Sequence, residues 1–148
     1  MRVVKAFAFR VIPEINAQNQ VIGITERPYL PLKIKYPRSH QTSQYNISCL
    51  VDSGSDVNLF PADMATSVGI NFSKGEPRRI IGIGGIEIPS FLCSDIQIIL
   101  PWGLKFSTEI QFSERQSVPL LGRKGFFDYF EEVIFNVKNS SFKLVYEK

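Results

Sequence analysis

Short apolar runs alternate with turn-forming residues along most of this chain, a pattern typical of β-strands. In the first third, residues 7–11, 29–36 and 46–51 carry apolar side chains at alternating or nearly continuous positions. The polar stretch 37–45 lies between the last two runs, and we expect it to be a loop. These segments predict three early strands, each with at least one buried face.

The second half of the chain predicts further strands and at most two short helices. Pro61 at a first turn, the body 62–68 and Gly69 as a stop indicate one helix. Gly84-Gly85 between apolar runs indicates a hairpin. Further strands are predicted at residues 79–83, 86–93, 94–100, 104–112, 133–137 and 142–146, and a second short helix at 125–132. The expectation is one all-β, barrel-like domain spanning residues 1–148.

Composition argues against a metal or cofactor site. Cys49 and Cys93 have no CxxC or Cys/His spacing suited to zinc. His40 is the single histidine, which excludes a His-rich site and weakens any Ser–His–Asp or Cys–His interpretation. We therefore expect chemistry that needs no metal and no cofactor.

Charge and hydropathy make nucleic acid and membrane unlikely partners. The formal net charge is +3, and the basic residues are scattered instead of clustered on one element. No apolar run approaches the roughly 18–20 residues of a membrane span, and charges at Lys5 and Arg10 interrupt the start of the chain. A reducing, cytoplasmic location is the expectation.

The strongest candidate for chemistry lies at residues 50–57, LVDSGSDV, where an apolar strand runs directly into Asp52. A hydroxyl and a glycine, Ser53 and Gly54, follow at once. Asp-Ser-Gly alone is a common turn sequence, so an ordinary strand-ending turn is the alternative interpretation. An acid at the end of a buried strand is partly desolvated, however, and such placement is typical of functional acids.

Two further segments follow this motif in order. Residues 80–86 are IIGIGGI, and residues 119–123 are PLLGR. Together the three segments resemble the retropepsin-like aspartic peptidases, with the second similar to their glycine-rich flap and the third similar to the apolar-apolar-Gly-Arg motif that closes the fold before a C-terminal helix. The resemblance covers residues 50 to about 130, with a domain core at about 28–148. It gives no place to the N-terminal extension, about 1–27.

The resemblance implies a closed acid-protease barrel that acts as a homodimer and as an aspartic endopeptidase on a peptide or protein substrate. Peptide hydrolysis of this kind needs two carboxylates that share one proton. The chain has a single Asp-Ser-Gly, because Asp63, Asp95 and Asp128 lack the following hydroxyl and glycine. The second carboxylate must then come from another copy, with the site on a two-fold axis.

The resemblance also implies supporting roles for neighbouring residues. Ser53 would hydrogen-bond across the dimer axis, and Gly54 would let the backbone approach the substrate. Asp56 and Arg123 would pair within one subunit, with two independent surface charges as the alternative. The flap would comprise Gly82, Ile83, Gly84 and Gly85, and the candidates for pocket walls, each of which could instead lie in the core, are Val57, Leu59, Ile81 and Leu121.

Two rival interpretations remain at this point. The first keeps the fold and the dimer but assigns a catalytically silent peptide-binding or dimerisation module. The second is an unrelated β-barrel binding protein in which Asp-Ser-Gly is only a turn. The first differs from a peptidase by its lack of turnover, and the second predicts a monomer that is indifferent to Asp52→Asn.

Overall fold

The computed structural model describes residues 1–82 and 84–148, and most of them lie in β-strands. In chain order the strands are β1 (Arg2–Ala8), β2 (Arg10–Ile15), β3 (Val21–Arg27), β4 (Tyr29–Tyr36), β5 (Gln41–Thr42), β6 (Ile47–Val51), β7 (Leu59–Pro61), β8 (Glu76–Ile81), β9 (Glu87–Ile99), β10 (Lys105–Ser113), β11 (Leu120–Leu121), β12 (Glu132–Asn136) and β13 (Ser141–Glu147). One α-helix, α1 (Ala62–Thr66), and 3-10 turns at Phe72–Lys74 and Phe127–Tyr129 complete the described elements. The prediction of an all-β chain is confirmed.

Eight strands form the main sheet, in the order β5-β4-β6-β11-β7-β10-β9-β8. Strand β4 pairs with β6 through its first half and with β9 through its second half. Six strands, from β4 through β6, β11, β7 and β10 to β9, therefore form a continuous ring of pairings. Leu30, Leu32 and Ile34 alternate along β4 and are completely buried, because period-2 alternation turns them all to the inner face.

The core is one cluster that joins the strands of this ring to strand β13 of the terminal sheet. Its largest completely buried side chains are Phe60, Phe112, Phe126, Phe142, Leu30, Leu32, Ile34, Ile96, Ile98, Leu100, Ile110 and Leu121. Phe60 and Phe112 meet edge to face, with ring centroids 6.3 Å apart. Such a pair packs the two parallel strands β7 and β10 against each other.

The segments 86–93 and 94–100, predicted as two strands, are one bent strand, β9. A register shift between Thr108 and Ile110 of β10 marks a bulge, and Asp95 at this point has a φ of 60°. Bulges bend and twist a strand locally. As a result, the first half of β9 pairs with β8, and the second half reaches β4 to close the ring.

The predicted helices are shorter in the structure. The helix expected over 62–68 ends at Thr66 and is followed by a turn through Gly69, whose φ of 78° stops it. The helix expected at 125–132 is only the 3-10 turn Phe127–Tyr129, because the buried Phe126 and Phe130 flank it and Phe130 is extended. Over residues 1–82 and 84–148, no helix is long and apolar enough to cross a membrane.

The N-terminal extension, which the sequence left without a place, joins the C-terminal hairpin. Strand β1 pairs with β13, and β13 also pairs with β12, so β13 is the middle strand of a three-stranded sheet. The N-terminal ammonium lies 3.2 Å from Glu147 Oε2, and the amide of Lys148 donates to the carbonyl of Met1. The C-terminal hairpin predicted at 133–137 and 142–146 is confirmed.

Strands β2 and β3 form a separate two-stranded sheet. Phe9 separates β1 from β2, and its amide donates to Ser140 O. Phe7 and Phe9 are half-buried as predicted, whereas Val11 is exposed. At the base of this hairpin, Arg10 Nη1 donates to Ser48 Oγ at 3.0 Å. The hairpin carries several exposed apolar side chains, namely Val11, Ile15, Val21, Ile22 and Ile24.

The contact between Trp102 and Tyr146 yields a test of how the terminal sheet is attached. Trp102 Nε1 donates to Tyr146 Oη at 2.7 Å, and Tyr146 is only 6% exposed. Tyr146→Phe removes the acceptor, so the free energy of unfolding should fall by about 1 kcal/mol. Urea unfolding followed by fluorescence measures this change directly, because Trp102 is the sole tryptophan.

Tyr45→Phe is the matched control, since Tyr45 is 75% exposed. This control should leave the unfolding free energy within about 0.5 kcal/mol of the wild type. Equal effects of the two substitutions would show that the Trp102–Tyr146 hydrogen bond does not stabilise the fold.

Candidate active site

Asp52 occupies a tight turn directly after β6. Its amide donates to Leu121 O at 3.0 Å, and its carbonyl accepts from the amide of Ser55 at 3.1 Å. The amide of Gly54 donates to Asp52 Oδ1 at 2.9 Å. This turn fixes the half-buried carboxylate by one oxygen and leaves the Ser53 side chain exposed.

Strand β11 brings the PLLGR segment against this turn. Its two residues pair in parallel with Leu50 and Val51 of β6, and Leu120 also pairs with Leu59 of β7. Leu121, the last residue of β11, lies beside Val51, the last residue of β6. The segment that follows, from Gly122, therefore lies beside the loop that follows Asp52.

Gly122 lies in closer contact with the loop than any other residue type could. A Cβ at this position would lie 2.2 Å from the carbonyl oxygen of Val57 and 2.7 Å from its nitrogen. Only glycine allows such an approach of backbone to backbone. The amide of Arg123 donates to Ser55 O and that of Lys124 to Asp56 O, both at 2.9 Å, which holds the two segments together.

Asn58 is one residue beside the site that the sequence analysis missed. Its side chain is 1% exposed; Oδ1 accepts from the amide of Gly122 at 3.0 Å, and Nδ2 donates to Glu109 O at 3.1 Å. The Asn58 side chain thus holds Gly122 against the loop that follows Asp52. The signal was an amide side chain within the otherwise apolar run 57–60, since a buried polar group normally has a structural partner.

Asp56 and Arg123 form an ion pair between the two segments, with Arg123 Nη2 donating to Asp56 Oδ1. Both side chains are largely exposed, and an exposed pair alone contributes little to stability. Here the pair acts with the two backbone hydrogen bonds beside it. The structure therefore brings together the residues that the sequence analysis had matched.

A cavity of about 610 Å³ lies between the Asp52 loop and strand β8. Its lining residues are Asp52, Gly54, Ser55, Asp56, Val57, Leu59, Arg78, Arg79, Ile80, Ile81, Gly82, Ile88, Gln111, Gln116 and Leu120. The lining combines the carboxylates of Asp52 and Asp56 with apolar side chains and with the polar or charged side chains of Arg78, Arg79, Gln111 and Gln116. A cavity of this size can hold several side chains of an extended chain.

The hairpin between β8 and β9 borders this cavity. The amide of Gly82 donates to Ile86 O at 2.9 Å, and that of Gly85 donates to Gly82 O at 3.1 Å. Gly84 and Gly85 have φ values of 89° and 79°, which other residues rarely adopt. Ile83, predicted as part of the flap, lies outside the described residues.

Two solved structures have the same architecture as this chain. EIAV protease complexed with the inhibitor HBY-793 is 21% identical at a TM-score of 0.51, over 66% of this chain and 82% of that one. A retropepsin-like aspartic protease from Rickettsia conorii is 13% identical at a TM-score of 0.59, over 99% of this chain and 94% of that one. The chain has the retropepsin-like fold. No family model and no curated protein matches its sequence.

Three of the four predicted pocket residues line the cavity between the Asp52 loop and β8. Val57, Leu59 and Ile81 line the cavity. Leu121 does not, because it is completely buried in the core. Adjacent residues of a strand face opposite sides, so its neighbour Leu120 lines the cavity in its place. The assignment of Leu121 to the pocket is thereby corrected.

Neither cysteine contributes a reactive group to the candidate site. Cys49 lies three residues before Asp52 but is completely buried, and this burial raises the pKa of its thiol well above the ordinary value. Cys93 is also buried and unpaired. Over residues 1–82 and 84–148, no group of three His, Cys, Asp or Glu side chains could hold a metal ion.

Gly122→Ala tests the close backbone contact. Because the added Cβ overlaps the Val57 backbone, we expect a loss of about 3 kcal/mol or more in the free energy of unfolding. Gly82→Ala is the control, since its Cβ would be 3.7 Å from the nearest atom, and it should change stability by no more than about 0.5 kcal/mol. Chemical denaturation of both variants measures the difference, and a Gly122→Ala protein as stable as the control would contradict the contact.

Proposed function

We propose that this chain is an aspartic endopeptidase that hydrolyses internal peptide bonds as a homodimer, with one Asp52 from each copy. One observation carries the proposal: in a retropepsin-like fold, Asp52 lines the cavity that faces the glycine hairpin. Its Oδ1 is held by the amide of Gly54. An acid fixed in this way has a defined direction toward a bound peptide.

The reaction follows from two carboxylates that lie close together and share one proton. The ionised carboxylate takes a proton from a water molecule, whose oxygen attacks the carbonyl carbon of the peptide bond. The protonated carboxyl polarises the carbonyl oxygen and later passes its proton to the leaving nitrogen. No metal and no cofactor takes part in this scheme.

The need for a second copy rests on the acids that line the cavity. Among the described lining residues, the other carboxylate is Asp56, and Arg123 pairs with it. Asp56 is therefore engaged in an ion pair within its own chain, and the proposal does not use it as the second catalytic acid. The proposal assigns this role to Asp52 of a second chain, on a two-fold axis.

A second cavity beside Asp52, of about 370 Å³, supports the proposal that the second copy binds at this surface. It is lined by Phe9, Arg27, Pro28, Leu50, Val51, Asp52, Ser53, Phe135 and Val137. Val137 is 80% exposed, and an exposed apolar patch beside an incomplete site is typical of an interface. Ser53 in the same lining would hydrogen-bond across the axis.

The peptide substrate would bind as an added strand along β8. Strand β8 is the last strand of the main sheet, and its residues from Arg78 onward line the cavity. The outer edge of such a strand offers backbone donors and acceptors to an extended peptide. Gly82, Gly84 and Gly85 would let the hairpin open for entry and close over the substrate. A cytoplasmic place of action remains a prediction from the sequence.

Asp52→Asn is the direct test of the catalytic role. Digestion of a diverse peptide mixture across pH, analysed by mass spectrometry, should show cleavage by the wild type with a bell-shaped pH dependence. The variant should be slower by a factor on the order of 10²–10⁴, while Asp63→Asn, an exposed acid at α1, should keep the wild-type rate.

Cleavage that survives in Asp52→Asn would refute the role of Asp52. Peptides that bind to the wild type without being cleaved at any pH would favour the silent binding module instead.

Protein concentration tests the shared site. Specific activity should fall as the protein is diluted below its dimer dissociation constant, in parallel with the dimer fraction measured by sedimentation. Added Asp52→Asn protein should reduce wild-type activity by forming mixed dimers, because each mixed dimer has only one intact carboxylate. A strictly monomeric protein that still cleaves peptides would contradict the mechanism.

A further inference from the structure

One buried amide stands out among the apolar residues of the site cavity. The apolar side chains of Val57, Leu59, Ile80, Ile81, Ile88 and Leu120 line this cavity. Gln111 lies among them, with only 8% of its surface exposed. A long polar side chain is unusual at such a position, because its burial is costly unless it forms hydrogen bonds.

The fold explains why Gln111 points into this wall. It lies in β10 directly opposite Leu59 of the parallel strand β7, and its amide donates to Asn58 O at 2.9 Å. The side-chain oxygen Oε1 accepts a hydrogen bond from Ser90 Oγ at 2.8 Å, and Ser90 is itself buried. With the amide in this orientation, Oε1 is engaged and Nε2 is free.

The free end is the Nε2 group. No residue of the described chain accepts from Gln111 Nε2, whereas every completely enclosed side-chain nitrogen or oxygen of the described residues has a partner. Nε2 is therefore not enclosed, and the cavity is the space to which Gln111 is exposed. Gln111 thus presents a hydrogen-bond donor to a cavity whose lining also includes the apolar side chains of Val57, Leu59, Ile80, Ile88 and Leu120.

We propose that this pocket binds a substrate side chain that ends in an amide, Gln or Asn, whose carbonyl oxygen accepts from Gln111 Nε2. The inference rests on the peptidase function proposed above and names the substrate class of that site. An apolar side chain would cover the donor without replacing its hydrogen bond to water, and a site built to donate discriminates against such a ligand.

A carboxylate is the other side chain with a terminal oxygen acceptor, and the neutral donor of Gln111 favours an amide over it. Arg78 and Arg79 line the cavity, but Arg78 pairs with Glu76 at 3.1 Å and Arg79 with Glu87 at 3.4 Å. The donor that Gln111 offers is a neutral amide. Desolvation of a full negative charge against one neutral donor is costly, so the pocket should select amides over acids.

A peptide series tests this specificity. Peptides of one scaffold carry Gln, Asn, Glu, Met or Leu at a single position, which is scanned on both sides of the cleaved bond. At one position, the wild type should cleave the Gln or Asn peptide about 10-fold faster, in kcat/KM, than the Met or Leu peptide. In Gln111→Met, which keeps the length of the side chain, this ratio should fall to about one or below.

Gln97→Leu is the control, because Gln97 lies in β9 outside the cavity lining, and it should keep the wild-type ratio. Binding of the same peptides to Asp52→Asn, measured by fluorescence polarisation, gives a second measurement that needs no turnover. Should Gln111→Met fail to fold, Ser90→Ala replaces it, because loss of the Ser90 hydrogen bond frees the amide to turn and should weaken the preference for Gln and Asn.

The outcomes separate the two proposals. Cleavage with no preference for amides, or a preference that survives both variants, would overturn the inference and leave the peptidase assignment intact. A preference for Glu over Gln would overturn it as well. Failure of every peptide to bind or to be cleaved would overturn the proposed function, and the inference with it.

Discussion

The backbone of Gly122 lies directly on the backbone of Val57, and the geometry of the site depends on this contact. It allows the short strand β11 to fit between β6 and β7, beside the turn of Asp52. The buried side chain of Asn58 then holds this contact in place, because it accepts a hydrogen bond from Gly122 and donates one to Glu109 of β10. Without the contact between Gly122 and Val57, the chain would form neither the Asp52 turn nor the ion pair between Asp56 and Arg123.

The sequence predicted those features of the fold that depend on residues close together in the chain. Strands with period-2 alternation, the Gly84-Gly85 hairpin and the order of the three motifs are local, so they were visible without the structure. The continuity of β9 depends on a bulge at Asp95 that allows two partners, and the partnership of β1 with β13 joins opposite ends of the chain. Such pairings are set by tertiary contacts and leave no local pattern.

The candidate site was predictable to a similar degree. Asp52 and its immediate neighbours belong to one contiguous motif, whereas the pocket wall combines strands that are distant in sequence. Whether Leu120 or Leu121 faces the cavity is decided by the register of a two-residue strand, which is too short to show alternation. Asn58 and Gln111 are ordinary polar residues in the sequence, and only their burial reveals what they do.

The pairing of β1 with β13 has a consequence for the order in which the chain folds. More than a hundred residues separate the two strands, so their contact closes one of the longest loops in the molecule. During synthesis, β1 leaves the ribosome long before its partner exists, and it must remain without its hydrogen bonds until β13 emerges. The six-stranded ring can assemble earlier, because all its strands precede residue 122. Formation of the terminal sheet therefore has to wait for β13, which follows every strand of the ring along the chain.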